Sequence, residues 1–204
     1  MTCPTCRKPT AVCVCDRCLP LHPKTRVVIL QHPQEQDVVL GTAPLLEVSL
    51  GAQRRVGLSW PNLAAAVGDA TGRWAVLYPM SLPRPLTPEE AEAPFFLLDR
   101  HGVAKSPPVD GLVLLDGTWS QAKALWWRNP WLLKLERALV TPREPSIYGR
   151  LRKEPRRTFV STLEACADAL VGNGEPAETR DALRRALRTL VQRARDAEAA
   201  APAP

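Results

Sequence analysis

The sequence predicts an α/β fold: a mainly parallel sheet with helices on both faces and a small zinc knuckle at the amino end. Three observations carry that expectation. Four or five short apolar runs each end in a polar or proline-marked segment. The stretches between them are long enough for the crossovers that parallel pairing needs. Five of the six cysteines fall within the first eighteen residues.

The cysteines come first along the chain. Cys3, Cys6, Cys13, Cys15 and Cys18 follow the pattern CxxC, six residues, CxC, two residues, Cys. CxxC brings two thiolates onto one ion, and four thiolates make zinc the default, with an iron–sulfur cluster as the alternative. Cys3, Cys6, Cys13 and Cys15 are the expected ligands, with Cys18 replacing Cys15 as the second choice. A site closed by four cysteines has no open position, so its role is expected to be structural. Cys166, alone in a helical segment, reads as a small core hydrophobe.

The first strand is expected in KTRVVILQH, ending at Gln31-His32-Pro33; the second around Val56 to Ser59; the third in WAVLYP. Residues 81 to 111 are proline-rich and read as a long excursion, with one or two helical turns in PEEAEAPFF. In LVLLDGTWSQAKALWWRNPWLLKL, Val113 to Leu115 form the fourth strand, bounded by Gly111 and Gly117, with Asp116 where the strand stops. Apolar residues at helical spacing from Trp119 to Leu135, interrupted at Asn129-Pro130, predict a helix and then a further helical turn. Leu135 to Val140 is the fifth strand. Loops at the carboxyl ends of parallel strands line one cleft, which makes Asp116 a candidate for function as well as for a helix cap.

Ser161 and Glu164 have the spacing of a capping box at a helix start. Leu183, Leu187, Leu190 and Val191 form the apolar stripe of a last helix, and the final AEAAAPAP is expected to fray. The organisation that follows is a knuckle over residues 1–23, a body over 24–198 and a tail over 199–204.

The chain has 204 residues, of which 45% are hydrophobic and 24% charged, which excludes fibrous and low-complexity classes. No apolar run approaches the roughly 18 residues of a membrane helix, and the start lacks the apolar core of a signal peptide, so a cytoplasmic location without a membrane partner is expected. A glycine-rich dinucleotide fingerprint and a GxxxxGK[ST] loop are both missing, which argues against hydride transfer and nucleotide hydrolysis. Between Lys123 and Arg157 stand ten basic and three acidic residues, a local +7 that exceeds the +6 of the whole chain. Such a stretch suits RNA; a solvated basic face is the alternative. Within it, Ser146, Tyr148, Arg150 and Arg152 of SIYGRLR are compatible with a nucleotide or RNA surface. His32 and Glu35 of QHPQE sit where the first strand ends, and His32 suits a ligand contact or a local cap equally.

These pieces together resemble the DTW-domain family, named for residues that appear here as Asp116, Thr118 and Trp119 in LLDGTWSQAKAL. The resemblance extends to CxxCxxP and CxC at the start, QHPQE, the YP at 78 to 79, NPWL at 129 to 132, SIYGRLRKEP and VSTLEA, spanning residues 3 to 166. The chain departs from the pattern in GTAPLL, where an asparagine-threonine-glycine turn is usual. SIYGRLR also has one residue more than usual, which leaves Arg150 and Arg152 as alternatives for one role.

The resemblance implies a SPOUT-like domain whose carboxyl-terminal part forms a trefoil knot binding S-adenosylmethionine. It implies transfer of the 3-amino-3-carboxypropyl arm to N3 of a tRNA uridine, leaving methylthioadenosine. Asp116, Thr118 and Trp119 would then be catalytic, with Asp116 accepting or orienting the N3 proton. Leu115, Asp116, Gly117, Ser146, Tyr148, Arg150 and Arg152 would hold the cofactor. His32, Glu35, Lys123, Arg128, Arg156 and Arg157 would contact tRNA, and Trp119 or Tyr148 would stack on a base. DNA is not an expected partner, and monomer and dimer both stay open. A non-catalytic zinc-containing RNA-binding module and a SPOUT-type RNA methyltransferase are the competing readings.

Overall fold

The computed structural model describes residues 1–77, 82–149, 151 and 160–200. Among the described residues seven strands form one sheet in the order β2-β1-β6-β3-β7-β4-β5. They are β1 (Arg26–Gln31), β2 (Gln53–Val56), β3 (Trp74–Leu77), β4 (Phe95–Leu98), β5 (Ala104–Lys105), β6 (Gly111–Asp116) and β7 (Glu136–Val140). The first five in spatial order run parallel, and β4 and β5 close one edge antiparallel. Among the described residues six α-helices accompany them: α1 (Ala43–Leu50), α2 (Leu63–Val67), α3 (Pro88–Glu92), α4 (Trp119–Arg128), α5 (Thr162–Gly172) and α6 (Ala177–Ala199).

Side chains alternate across a strand, so each central strand feeds two cores. Val27, Ile29, Leu112 and Leu114 join α1, α5 and α6 on one face, while Val28, Leu30, Val113 and Leu115 join α2 and α4 on the other. Helices therefore cover both faces, as the unbroken apolar runs of β1 and β6 require. The predicted stripe Leu183, Leu187, Leu190 and Val191 is buried in the first core, and so is Cys166, whose thiol burial pushes up to about 12.

Three expectations are corrected. The second strand lies at Gln53–Val56, three residues before the predicted start, because an exposed edge strand reading QRRV carries no apolar run to mark it. The proline-rich excursion contains an antiparallel pair: Phe95–Leu98 reads as the tail of a helical segment, yet α3 stops at Glu92 and the next apolar residues pair with β7. The last helix runs to Ala199, three residues into the segment expected to fray. The Tyr78-Pro79 end of the third strand lies outside the described residues.

The knuckle is held against the body at several points. Val12 and Val14 are buried in the first core, and Arg193 of α6 grips both carboxylate oxygens of Asp16 at 2.8 Å and donates to the Cys13 carbonyl. No helix among the described residues is long and apolar enough to cross a membrane.

Candidate functional site

The carboxyl ends of the parallel strands meet at one edge, and Asp116 is the last residue of the central strand there. It is 7% exposed. Parallel register places Gln31 directly beside it, on the same face of the sheet. Gln31 Nε2 donates to Asp116 Oδ2 at 2.8 Å, and Thr162 Oγ1, at the start of α5, donates to Oδ1 at 2.8 Å. The amide of Gln31 is itself oriented, since its Oε1 accepts from Arg54 Nη1 at 3.1 Å and Arg54 Nε pairs with Glu47 at 2.9 Å. A carboxylate offers about four acceptor sites, so this network fixes Asp116 while leaving capacity for further donors.

The helix cap at this elbow is Thr118. Its side chain accepts from Gln121 N at 3.4 Å, and Gln121 Oε1 accepts from Thr118 N at 2.6 Å, a complete capping box. Gly117 makes the turn possible, because a Cβ there would lie 2.8 Å from Gln121 Cβ. Asp116 is thereby released from the capping role that its position in the sequence allowed. Leu115 points to the opposite face from Asp116 and packs in the second core.

A second buried carboxylate lies nearby in α5. Glu164, 1% exposed, accepts from Ser146 Oγ at 2.9 Å, Ile147 N at 2.8 Å, Ser161 N at 2.9 Å and Ser161 Oγ at 2.7 Å. The Ser146 segment is thus pinned to the start of α5. Tyr148 follows, fully buried, with its hydroxyl donating to the Leu40 carbonyl. This corrects the expectation of a stacking surface: the ring has no open face. Its flanking arginines give a surface appearance to a side chain that packing has taken into the core.

The segment that Tyr148 touches is also held from the knuckle. Lys8, 3% exposed, donates from Nζ to the Val39 and Gly41 carbonyls, each at 2.6 Å. Burial pushes its ammonium down to about 8. Three successive carbonyls after QHPQE therefore receive donors from two distant parts of the chain. His32 caps the short turn Pro33–Glu35, accepting at Nδ1 from Gln34 N at 3.3 Å, and its own N–H donates to the Asp116 carbonyl at 2.9 Å. Glu35 is buried in that turn.

At the amino end, the Sγ atoms of Cys3, Cys6, Cys13 and Cys15 lie within 4.8 Å of one another. Cys3 and Cys15 are 3.8 Å apart, Cys6 and Cys13 3.6 Å. A tetrahedral ion with bonds of about 2.3 Å would separate its sulfurs by about 3.8 Å, so the spacing fits one metal ion. Cys18 is outside the group, half-buried, with burial raising its thiol. Backbone N–H groups of Cys6 and Thr5 bring Cys3 down to about 6, whereas burial raises Cys13 and Cys15.

The DTW domain pattern matches residues 1–195. The chain belongs to the DTW domain family. It is 32% identical over 179 residues to tRNA-uridine aminocarboxypropyltransferase 2 of Macaca fascicularis, covering 82% of this chain and 55% of that protein. It is 32% identical over 194 residues to the Drosophila melanogaster protein of the same description, covering 92% and 72%. It is 30% identical over 199 residues to tRNA-uridine aminocarboxypropyltransferase A of Arabidopsis thaliana, covering 86% and 75%. The chain spans about half the length of the mammalian relatives it matches. No solved structure matches it.

In this DTW domain the three naming residues occupy different environments. Asp116 is an oriented carboxylate, Thr118 a cap, and Trp119 a half-buried ring packed on the second core. Lys123 and Arg128 are exposed on α4. Arg137, counted in the basic stretch, is 4% exposed, stacks over Trp126 at 5.2 Å and donates to the Leu135 carbonyl at 2.6 Å, so it serves the core. Arg150, Arg152, Arg156 and Arg157 lie outside the described residues. Gln31, Arg54, Glu47 and Thr162 were not singled out in the sequence. Only the QH ending of the first strand and the threonine beside the predicted cap hinted at two of them.

Proposed function

We propose that this protein transfers the 3-amino-3-carboxypropyl group of S-adenosylmethionine to N3 of a uridine in tRNA, releasing methylthioadenosine. The observation that carries the reading is the oriented Asp116 carboxylate at the carboxyl edge of the sheet, in a chain of the DTW domain family. Relatives at about a third identity bear the name tRNA-uridine aminocarboxypropyltransferase. The proposal includes a SPOUT-like architecture with a carboxyl-terminal trefoil knot, supported by five parallel strands in which β6 lies between β1 and β3. It also includes a cytoplasmic location and a body over 24–198 that carries the metal knuckle of residues 1–23.

The residues present suit such chemistry in a specific way. The sulfonium cofactor supplies an already electrophilic carbon, so what the protein must provide is orientation and a place for the uridine N3 proton. Asp116 has acceptor capacity left after Gln31 and Thr162 are counted, and can accept that proton or orient the N–H. With the cofactor bound, its sulfur would leave as the neutral thioether of methylthioadenosine, and the uridine N3 proton would pass to Asp116 or through it to solvent. Trp119 borders the elbow on the other side of the cap. Leu115 and Gly117 would contribute their backbone to the cofactor side, with Ser146 shaping it through Glu164 and Tyr148 through the Leu40 carbonyl. His32, Glu35, Lys123 and Arg128, with Arg150, Arg152, Arg156 and Arg157, supply the proposed cofactor and tRNA contacts.

Zinc is the proposed ion of the knuckle, held by Cys3, Cys6, Cys13 and Cys15, because four sulfur donors at tetrahedral spacing match its preference. Its role is structural. Elemental analysis of reduced protein should give one zinc per chain and none after Cys6→Ser; iron with labile sulfide would overturn the zinc assignment.

The test of the function is incubation with unmodified tRNA and S-adenosylmethionine, followed by mass spectrometry of digested RNA. Methylthioadenosine and an aminocarboxypropyl uridine are expected. A methyl adduct would make the protein an RNA methyltransferase, and RNA binding without any adduct would make it a zinc-containing binding module.

A further inference from the structure

The tryptophan-rich segment packs three of its four indoles and leaves the fourth in solvent. Trp126 and Trp131 are buried in the second core and Trp119 packs against it, but Trp127 is 65% exposed. An exposed indole of that extent forfeits a large apolar burial, and its surroundings say what could cover it. Ser120, Lys123 and Trp127 are spaced i, i+3, i+7 along α4 and share its exposed face, with Arg128 beside them. The following turn adds exposed Leu133 and Lys134. From Thr118 to Leu135 there is no acidic residue. Lys123, Arg128 and Lys134 have no ion pair among the described residues. Of the nearest acidic residues in sequence, Asp116 is buried in its own network and Glu136 is paired with Arg73 at 2.8 Å.

We propose that this face of α4 binds single-stranded RNA, with Trp127 stacking on an unpaired base and Lys123, Arg128 and Lys134 meeting the flanking phosphates. The proposal rests on the tRNA reading above and adds to it the base-stacking residue. A flat aromatic face among unpaired cations is the combination that recognises single strands, because every base offers a π-face and every linkage a charge. Bases within a duplex are already stacked on both sides, which points to a loop or a splayed nucleotide. A second copy of the chain is the weaker candidate: an isologous contact would set this acid-free patch against itself and bring like charges together. The helix geometry suits a shared ligand, since Trp127 lies about 14 Å along the axis from the Thr118 cap, within the span of a few nucleotides of a strand whose uridine reaches Asp116.

The test uses the full chain, Trp127→Ala and Trp127→Phe, titrated separately with a short unstructured oligouridylate and with tRNA, following intrinsic fluorescence and affinity. In the parent, oligouridylate should quench the exposed indole. Trp127→Ala should bind both RNAs about 10- to 100-fold more weakly, while Trp127→Phe, which retains an aromatic face, should stay within a few-fold of the parent. All three should melt together, because the side chain is in solvent. Parent-like binding of both RNAs by Trp127→Ala would overturn the inference, as would a dimer in sedimentation that forms in the parent and is lost in that variant. A parent that modifies tRNA with a Trp127→Ala variant of equal affinity removes this surface and leaves the transferase reading intact. A parent quenched by oligouridylate that never modifies tRNA does the reverse.

Discussion

Asp116 and Glu164 are both buried carboxylates held by hydrogen bonds, yet the two are used differently. Glu164 receives four donors, three on Oε2 and one on Oε1, two of them backbone N–H groups, so both its oxygens are tied to the main chain. Asp116 receives the donors of Gln31 and Thr162, both side chains, and keeps a 7% exposed edge. Glu164 is a knot of structure joining the Ser146 segment to α5. Asp116 is oriented but unfinished, and that remaining capacity is what a reacting group can use. Burial alone would have ranked them the same; the count and kind of donors separates them.

The largest expected effect breaks the comparison on the Asp116 side. In Asp116→Asn the new carbonyl can accept from Gln31 Nε2, and the new amide can donate to Thr162, whose hydroxyl rotates to accept. Both bonds survive and only the anionic acceptor is lost. Single-turnover rate at saturating tRNA and cofactor should therefore fall by about 10² to 10⁴, with the melting temperature close to the parent. A variant turning over at the parent rate would remove Asp116 from the mechanism.

Glu164→Gln should behave in the opposite way. Ile147 N–H points to one oxygen and Ser161 N–H to the other, and a backbone donor cannot reverse. Whichever way the amide lies, its NH2 faces a backbone N–H, at a cost of about 1–3 kcal/mol. For a chain of this size that lowers the melting temperature by about 2–4 °C per kcal/mol. Rate per folded molecule should change much less than in Asp116→Asn. An unchanged melt would mean that the four donors do not load this carboxylate in solution.

How much of this was legible in the sequence depends on how far apart the partners are. Asp116 could be placed at a strand end because Leu112 to Leu115 precede it, and the Ser161–Glu164 box because its members are three residues apart. The four clustered thiols were legible for the same reason, and the geometry separates Cys15 from Cys18. Gln31 was not legible as a partner of Asp116, since 85 residues separate them and only the register of β1 on β6 brings them together. Arg54 enters through a polar edge strand that lacks an apolar pattern and brings in Glu47 of α1 as its ion-pair partner, and Thr162 enters through the docking of α5. Tyr148 reads as a surface residue because arginines stand near it in sequence, while its ring packs in the first core.

The smallest expected effect concerns Thr118, which belongs to the motif but is engaged in capping. Its hydroxyl and the Gln121 side chain satisfy each other's backbone N–H, and Thr118→Ala removes one half of that exchange. A lost threonine cap costs about 0.5–2 kcal/mol, so the melting temperature should fall by a few degrees. Thr118→Ser and Thr118→Asp, which both keep a capping oxygen, should recover most of it. If capping is the whole role, the rate at saturating substrates follows the folded fraction in all three variants, and the residue supports Asp116 only by starting α4 at the right place. Thermal melts beside single-turnover rates decide the matter: a hundredfold loss in Thr118→Ala with a parent-like melt would give the hydroxyl a part in the chemistry.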